Sequence, residues 1–528
     1  MKLTSLCTGN YDAAEWEAKG YQLPKFDIAS VVKKTHDEPT WVHFGGGNIF
    51  RAFPAAILND ALNTGKYDRG VIVAETFDYD IIDKAYAPYN NLSLSVSLCS
   101  NGTIEKKVIA SVTEALKGDY QFEDWKRLIE IFKAPTLQMI SFTITEKGYT
   151  YNDADLARGL QPMFAMGKVC ALLLERYNAG ALPLTVQSMD NCSHNGDKAK
   201  AGVMAYAEKW VADGLAPQGF LDYLKDETKI TFPWSMIDKI TPRPHQKVKE
   251  LLAADGFEDN DYIETDKHTF TAPFVNAEEV QYLVVEDNYT NGRPPLELGG
   301  TLYTTRETVD QVETMKVTTC LNPLHTAMSI YGCMLDYTLI SAEMADEDLR
   351  AFVQKIGYIE AMPVVTDPGV LNPYEFIGDV INKRLPNPFM PDAPQRISTD
   401  TSQKLPIRFG ETIRKYVERG LDMNNLILIP LTLAGYARYL KGVKDNGETF
   451  EPSSDPLLEE LQAIVAPLEI GKADQDWSCL KKLYSRKDVF GQDLYAIGLG
   501  EKIEGMVKEL YAGPGAVRNT LHKYVSAR

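Results

Sequence analysis

WVHFGGGNIFRAF runs from Trp41 to Phe53 and carries the strongest fold signal in the chain. An apolar run (Trp41, Val42, Phe44) meets Gly45, Gly46 and Gly47, and a helix start follows. Strand, glycine turn and helix in that order bring a backbone close to a pyrophosphate. Glycines leave room for phosphate oxygens, and a helix N-terminus offers unpaired N–H groups to negative charge. The turn places Phe44, Gly45, Gly46, Gly47, Asn48, Ile49 and Arg51 as candidate dinucleotide contacts. The third glycine of the usual fingerprint is absent, and Phe50 or Arg51 occupies its region. Pro54 comes late for a first turn and predicts a distorted helix. The plain alternative is a tight loop that binds nothing.

Glu75 ends the next strand-like run, Val71–Ala74. A carboxylate there would bind ribose hydroxyls and repel an added 2′-phosphate, which favours NAD over NADP. Asp78 competes for that role, and either residue reads equally well as a surface acid. Leu92 to Leu98 alternates with serines, Asn101-Gly102 supplies a turn, and Thr103–Ile109 continues, which predicts a β-hairpin. Leu137–Thr145 and Leu184–Gln187 are further strands, and Met163–Asn178 is helical. Such alternation predicts an α/β sheet with crossovers. After Asn291-Gly-Arg-Pro-Pro295, strand patterns nearly vanish and helical periodicity dominates. The expected division is an α/β domain over 1–305 and an all-α domain over 306–528.

Composition bounds the function. With 44% hydrophobic and 24% charged residues, the chain reads as an ordinary globular protein. A net charge of −18 argues against nucleic-acid partners, which call for a basic footprint. No run reaches the roughly 18 apolar residues of a membrane span. The N-terminus lacks the apolar core of a signal peptide, so a cytoplasmic protein is expected. Seven scattered cysteines without a CxxC pair, and seven dispersed histidines without HExxH, predict reduced thiols and no metal site.

Other stretches carry candidate chemistry. TVQSMDNCSHNGDKAK, Thr185 to Lys200, ends a strand in Asp190-Asn191, where α/β sheets bind ligands. A capped turn reads it equally well. In FPWSMIDKITPRP, Asp238 lies among apolar residues and needs a partner, of which Lys239 and Arg243 are the simplest. In ETMKVTTCLNPLHTAMSIYGCML, Asn322 and Pro323 look like N-cap and N1 of a helix. His325 then falls in the first turn, where the dipole would keep it neutral. Lys316 could act as general acid/base, and the Asn322 amide could donate to an oxyanion. A solvated lysine, a cap and a core histidine are the plain alternatives. In NPFMPDAPQRISTDTSQKLPIRF, Arg396, Lys404 and Arg408 form a local cationic group suited to a carboxylate, or a solvated basic face.

The order of these stretches resembles the polyol-specific long-chain dehydrogenases, also called the mannitol dehydrogenase family, from about residue 40 to near residue 510. HFGGGNIFRAF, SFTITEKGY, SMDNCSHNGD, FPWSMIDKITP and MKVTTCLNPLH resemble consecutive blocks of that family, and RISTDTSQKLPIR its sugar-acid branch. The resemblance implies an N-terminal Rossmann-like domain that binds NAD and a helical domain that supplies a catalytic lysine. It implies Lys316 as general acid/base, Asn191 and Asn322 as amides at the reacting oxygen, and His325 as an orienting residue. It implies Asp238 as an acidic site residue and Arg396 as a substrate-binding arginine; the cationic group adds Lys404 or Arg408 on the substrate carboxylate, and Thr145 is expected on the cofactor side. The implied reaction reduces D-fructuronate to D-mannonate without a metal. Tagaturonate reduction, mannitol or arabinitol oxidation, and silent dinucleotide binding are the alternatives. A sugar acid or polyol is the expected partner, for a monomer or small homo-oligomer.

Three departures stand out. Family members have four residues between the lysine and the asparagine, whereas Val317 to Leu321 occupy that interval here. One inserted residue turns a helix by about 100°, so a bulge is expected to absorb it. Pro323 also replaces a usual glycine, and polar residues near Ser402 stand where a relative carries a second histidine.

Overall fold

Six short strands of the first half pair side by side in the computed structural model, which describes residues 1–527. They are β1 (Trp41–Phe44), β2 (Val71–Glu75), β3 (Val112–Lys117), β4 (Met139–Phe142), β5 (Leu184–Ser188) and β6 (Ile230–Thr231). Every neighbouring pair is parallel, and the spatial order is β3-β2-β1-β4-β5-β6. That is the dinucleotide-binding order, in which the strand sequence reverses direction between β1 and β4. Parallel strands are buried on both faces, which is why they read as continuous apolar runs. Alternate residues still separate. Val42, Phe44, Ile72, Ala74, Ile140 and Phe142 enter one core cluster, while Trp41, Val71, Val73 and Met139 enter another.

The helix after the glycine turn is broken. α1 (Asn48–Ala52) ends at Phe53, which adopts φ −129° and ψ −81°, and α2 (Pro54–Asn63) restarts with Pro54 in its first turn. Proline is preorganised for a helix start and costs no hydrogen bond there. α3 (Asp124–Lys133), α4 (Ala165–Asn178) and α5 (Asn195–Ala212) then cross over the sheet. Arg176 on α4 is fully buried and donates to the carbonyls of Phe132, Ala134, Leu137, Leu182 and Pro183. It ties the segments entering β4 and β5 to α4. Burial lowers its pKa to about 10.

The predicted hairpin forms, with Ser93–Leu98 antiparallel to Ile104–Ile109. It stands outside the main sheet, in a four-stranded sheet with Tyr21–Gln22 and Phe274–Glu278. Ser235–Asp238, Tyr282–Glu286 and Leu302–Thr304 make a further sheet.

The chain divides into two compact units. The first holds Met1–Cys99 and Thr103–Asp310; the second holds Ser100–Gly102 and the chain from Gln311 onward. The break falls inside α6 (Arg306–Met315). Beyond it the regular elements among the described residues are helices, apart from one isolated bridge, Val443 with Thr449. α7 (Asn322–Met334) is buried along most of its length. Helices of this unit are interrupted by wider π-turns at Lys316–Cys320, Ile356–Ala361, Val380–Arg384 and Pro406–Gly410. Each such turn accommodates one extra residue, and π-turns are frequent at functional sites. No helix among the described residues is long and apolar enough to cross a membrane.

Candidate active site

The glycine turn sits at the carboxyl end of β1, at the point where strand order reverses, and each glycine has its own reason. Gly45 has φ +106°, and a Cβ there would stand 2.4 Å from the Thr143 carbonyl oxygen. The turn after β1 therefore lies directly against the loop after β4. At Gly47 a Cβ would meet nothing within 4 Å, so the backbone is open on that side. Phe50, standing where a third glycine is usual, stacks on His43 with centroids 4.2 Å apart and planes 10° apart. His43 is fully buried and bonds Ser141 Oγ at 2.6 Å and Thr143 Oγ1 at 2.8 Å; burial holds its pKa well below the ordinary value. Helix and strand are thus joined by a ring stack instead of by the close approach that glycine permits.

The acids at the end of β2 are engaged by the protein. Glu75 Oε2 accepts the Gly46 N–H at 2.8 Å, and Oε1 accepts the N–H groups of Thr76, Phe77 and Asp78. Burial pushes its pKa up against those bonds. Its first effect is to hold the glycine turn against β2; a carboxylate keeps lone pairs beyond these four donors only on Oε2. Asp78 Oδ2 accepts from Thr265 Oγ1 at 2.6 Å and Thr269 Oγ1 at 2.5 Å. Arg51 is fully buried and donates to the Ala272 carbonyl at 2.8 Å, to Asn48 Oδ1 at 2.9 Å and to Thr271 Oγ1. These contacts describe braces around the turn. Phe44 is buried beneath it, Ile49 is half-buried, and Thr145 and Asn191 are exposed at the ends of β4 and β5. Asp238 is buried at the end of its strand. Open backbone at Gly47 and the position at the strand-order reversal fit a dinucleotide.

In the second unit the extra residue ahead of Asn322 is absorbed. Lys316 opens the π-turn Lys316–Cys320, and the Leu321 N–H reaches the Lys316 carbonyl at 3.1 Å. Lys316 is buried. The helix frame differs by one residue from the sequence reading. Leu321 is the cap of α7, Asn322 is its first residue, and no side chain caps it. The Asn322 amide is therefore not consumed by capping.

His325 gathers the cations. Its pKa falls to about 4, through burial first and then the positive charges of Arg408, Arg384 and Arg396, with Asp392 opposing. The neutral imidazole expected from the helix position thus has burial as its main cause. Arg408 is half-buried and donates to the Asn322 carbonyl at 3.3 Å and to Thr326 Oγ1 at 2.5 Å. Burial alone lowers its pKa, to about 10, and among the described residues it pairs with no acid. Arg396 is 64% exposed and pairs with Asp392. Lys404 donates to the carbonyls of Ile397 and Thr399. Arg384, 3% exposed, was not singled out by the sequence. Its only local signal is the Pro386–Pro388 breaker that follows it.

Comparisons agree with this architecture. Residues 39–298 match the mannitol dehydrogenase Rossmann domain, and residues 308–511 match the mannitol dehydrogenase C-terminal domain. A D-mannonate oxidoreductase of Thermotoga maritima is 51% identical, over 97% of both chains. A mannitol 2-dehydrogenase of Cereibacter sphaeroides is 29% identical, over 91% of this chain and 97% of its own. In fold, the chain is similar to a substrate-free D-sorbitol dehydrogenase, with TM-score 0.76, 24% identity and 96% and 97% of the two chains covered. It is also similar to the Pseudomonas fluorescens mannitol 2-dehydrogenase in ternary complex with NAD and D-mannitol, with TM-score 0.68, 24% identity and both chains fully covered at 100%. The chain belongs to the mannitol dehydrogenase family and is a dehydrogenase.

Proposed function

We propose that the chain interconverts D-fructuronate and D-mannonate. The observation that carries this reading is Arg408, a half-buried cation without an acidic partner among the described residues, bonded to the first residue of α7. Cations are disfavoured at a helix N-terminus, where the dipole is already positive. An anionic ligand supplies what the site lacks, and a sugar acid carries a carboxylate that guanidinium binds bidentately. The 51% identity to a protein named D-mannonate oxidoreductase supports the same substrate class.

NAD, when bound, supplies or accepts the hydride. In the reducing direction Lys316 gives a proton to the oxygen of the C5 carbonyl as it becomes an alkoxide. Asn191 and Asn322 donate to that oxygen, an effect commonly worth about 3–4 kcal/mol per donor. Neutral His325 orients the sugar hydroxyls, and Arg408 with Arg396 holds the carboxylate. Lys404 supports that segment through its carbonyl bonds. In the oxidising direction Lys316 takes the proton back from the hydroxyl. Asp238 is assigned to the substrate, and Gly45–Gly47, Asn48, Ile49, Glu75, Asp78 and Thr145 to the cofactor.

The test is NADH oxidation followed spectrophotometrically with D-fructuronate, D-tagaturonate, fructose and xylulose. Preference for D-fructuronate supports the reading. Equal or greater activity on the neutral ketoses overturns it, and preference for D-tagaturonate moves the assignment to that epimer.

A further inference from the structure

The loop after β4 holds a strained residue. Thr145 has φ +62° and ψ 164°. That region is nearly reserved for glycine, and a β-branched side chain is the poorest choice for it. Such strain persists only where the surroundings over-determine it. Here the surroundings converge on Asp190. The Thr145 N–H donates to Asp190 Oδ1 at 2.9 Å, and the Ile144 N–H donates to Oδ2 at 3.0 Å. The Tyr149 hydroxyl donates to the same Oδ2 at 2.6 Å. Since that uses the only Tyr149 proton, the Ser188 hydroxyl, 2.6 Å away, donates to the Tyr149 oxygen.

Asp190 is gripped from its other side too. Its carbonyl accepts from Asn195 Nδ2 at 3.0 Å, and Asn195 is fully buried. The Asn195 amide also bonds Ser235, accepting its N–H and donating to its carbonyl, both at 3.0 Å. The carboxylate thus fixes the loop after β4, and the peptide fixes the turn after β5. The next residue in the chain is Asn191. Both loops stand at the carboxyl edge of the sheet, beside the glycine turn that the Thr143 carbonyl touches. Ligands of open α/β sheets bind at that edge.

We propose that Asp190 is a positioning residue, which locks the Ile144–Thr145 loop to the Asn191 turn and so sets the direction of the Asn191 amide. It touches neither substrate nor cofactor in this role. The proposal rests on the reading of Asn191 as a donor to the reacting oxygen. Two backbone N–H groups need two acceptors, and the carboxylate offers one oxygen to each. In Asp190→Asn one oxygen becomes an NH₂ that faces a backbone donor, so one grip is lost while the side-chain volume is kept.

Two readouts test it, using Asp190→Asn, Asn191→Ala and the double variant. The first is amide hydrogen exchange at Ile144 and Thr145 in the protein without added cofactor. Asp190→Asn is expected to speed exchange there at least about 10-fold, and Asn191→Ala to leave it unchanged. The second is kcat for D-fructuronate reduction. Asp190→Asn should lower it about 100-fold in the natural background, as loss of an oxyanion donor does, and less than about 3-fold where Asn191 is already alanine. Unchanged exchange, or kcat losses that simply multiply, overturns the proposal. Normal turnover in Asn191→Ala would instead remove the oxyanion reading, and the exchange result would then stand alone in deciding whether Asp190 locks the loop. Should Asp190→Asn not fold, Tyr149→Phe deletes one grip only; a several-fold change in both readouts supports the proposal and no change in either opposes it.

Discussion

Replacing Glu343 by glutamine should change how stability depends on pH, and in a defined direction. Glu343 is fully buried, and among the described residues neither carboxylate oxygen has a hydrogen-bond partner. It presses on α7, where a Cβ at Gly332 would stand 1.6 Å from Oε1. Burial first, and the charge of Asp346 second, hold its pKa well above the ordinary 4.5. The folded state therefore keeps a proton that the unfolded chain gives up. Its contribution is complete below pH 4.5 and is lost as pH rises toward the folded value, at about 1.4 kcal/mol per pH unit within that window. Glu343→Gln matches the protonated shape and does not titrate. Urea unfolding of both proteins at a series of pH values from about 5 to 8 isolates the effect. The stability difference, natural minus variant, should fall steadily with pH at that slope and level off only above the folded pKa. Parallel curves would refute the reasoning, because they would mean that Glu343 ionises equally in both states. The close contact gives an internal control. Gly332→Ala should cost roughly 1–3 kcal/mol by overpacking, and less when Glu343 is also alanine.

Further outcomes follow from the two units. Arg408→Met should lower kcat/KM for D-fructuronate by roughly 10- to 150-fold, the loss of a charge-assisted bond, and lower it at least about 10-fold less for fructose; equal losses would sink the carboxylate role. Lys316→Ala should reduce turnover by about 10² to 10⁴ while NADH binding, read by fluorescence, stays intact, and near-normal turnover would end its role as the proton donor. With His325 pushed down to about 4, its NMR signals should remain those of a neutral ring at pH 6 and titrate only near that value; a midpoint near 6.5 would contradict the burial and the arginines. Arg176→Lys offers at most three donors to five carbonyls, so thermal unfolding should come earlier, at about 1–3 kcal/mol for each carbonyl left bare, and an unchanged midpoint would refute the clamp.

Four strands of the sheet were legible as apolar runs, and the glycine turn marked the first of them; β3, broken by Thr113, Glu114 and Lys117, and the two-residue β6 carry no such run. The hairpin was legible too, but not the sheet it joins. Its partner Phe274–Glu278 lies far along the chain, and no local pattern encodes a pairing at that distance. One surplus residue between Lys316 and Asn322 pointed to a bulge, and the π-turn is that bulge. The cap shifted by one residue because proline is accommodated at the second helical position as readily as at the first. Glu75 illustrates a different limit. A carboxylate at a strand end reads as a ligand for ribose, yet Thr76, Phe77 and Asp78 follow it directly and present their N–H groups to it. Asp190 was visible as a polar residue at a strand end, but the loop it holds comes from another strand. Arg384 reaches His325 only through the fold.

The cations of the second unit separate by their partners, and the separation bears on substrate choice. Arg396 has Asp392, and Lys404 has carbonyls at the end of a short helix, where a cation is favoured. Arg408 is half-buried with a carbonyl and a hydroxyl, and among the described residues it has no acid. A buried charge without a counter-charge is costly, and a protein of net charge −18 could have placed an acid beside it at little expense elsewhere. A neutral polyol would leave that cost in place in both free and bound protein, so it would gain nothing from Arg408. A sugar acid removes the cost only on binding, and therefore converts a local instability of the fold into affinity. The diffuse negative field opposes the approach of such a substrate, while the guanidinium holds it once it arrives. Added salt screens the first effect more than the second, so moderate salt should raise the association rate for the acid and leave a neutral ketose unaffected.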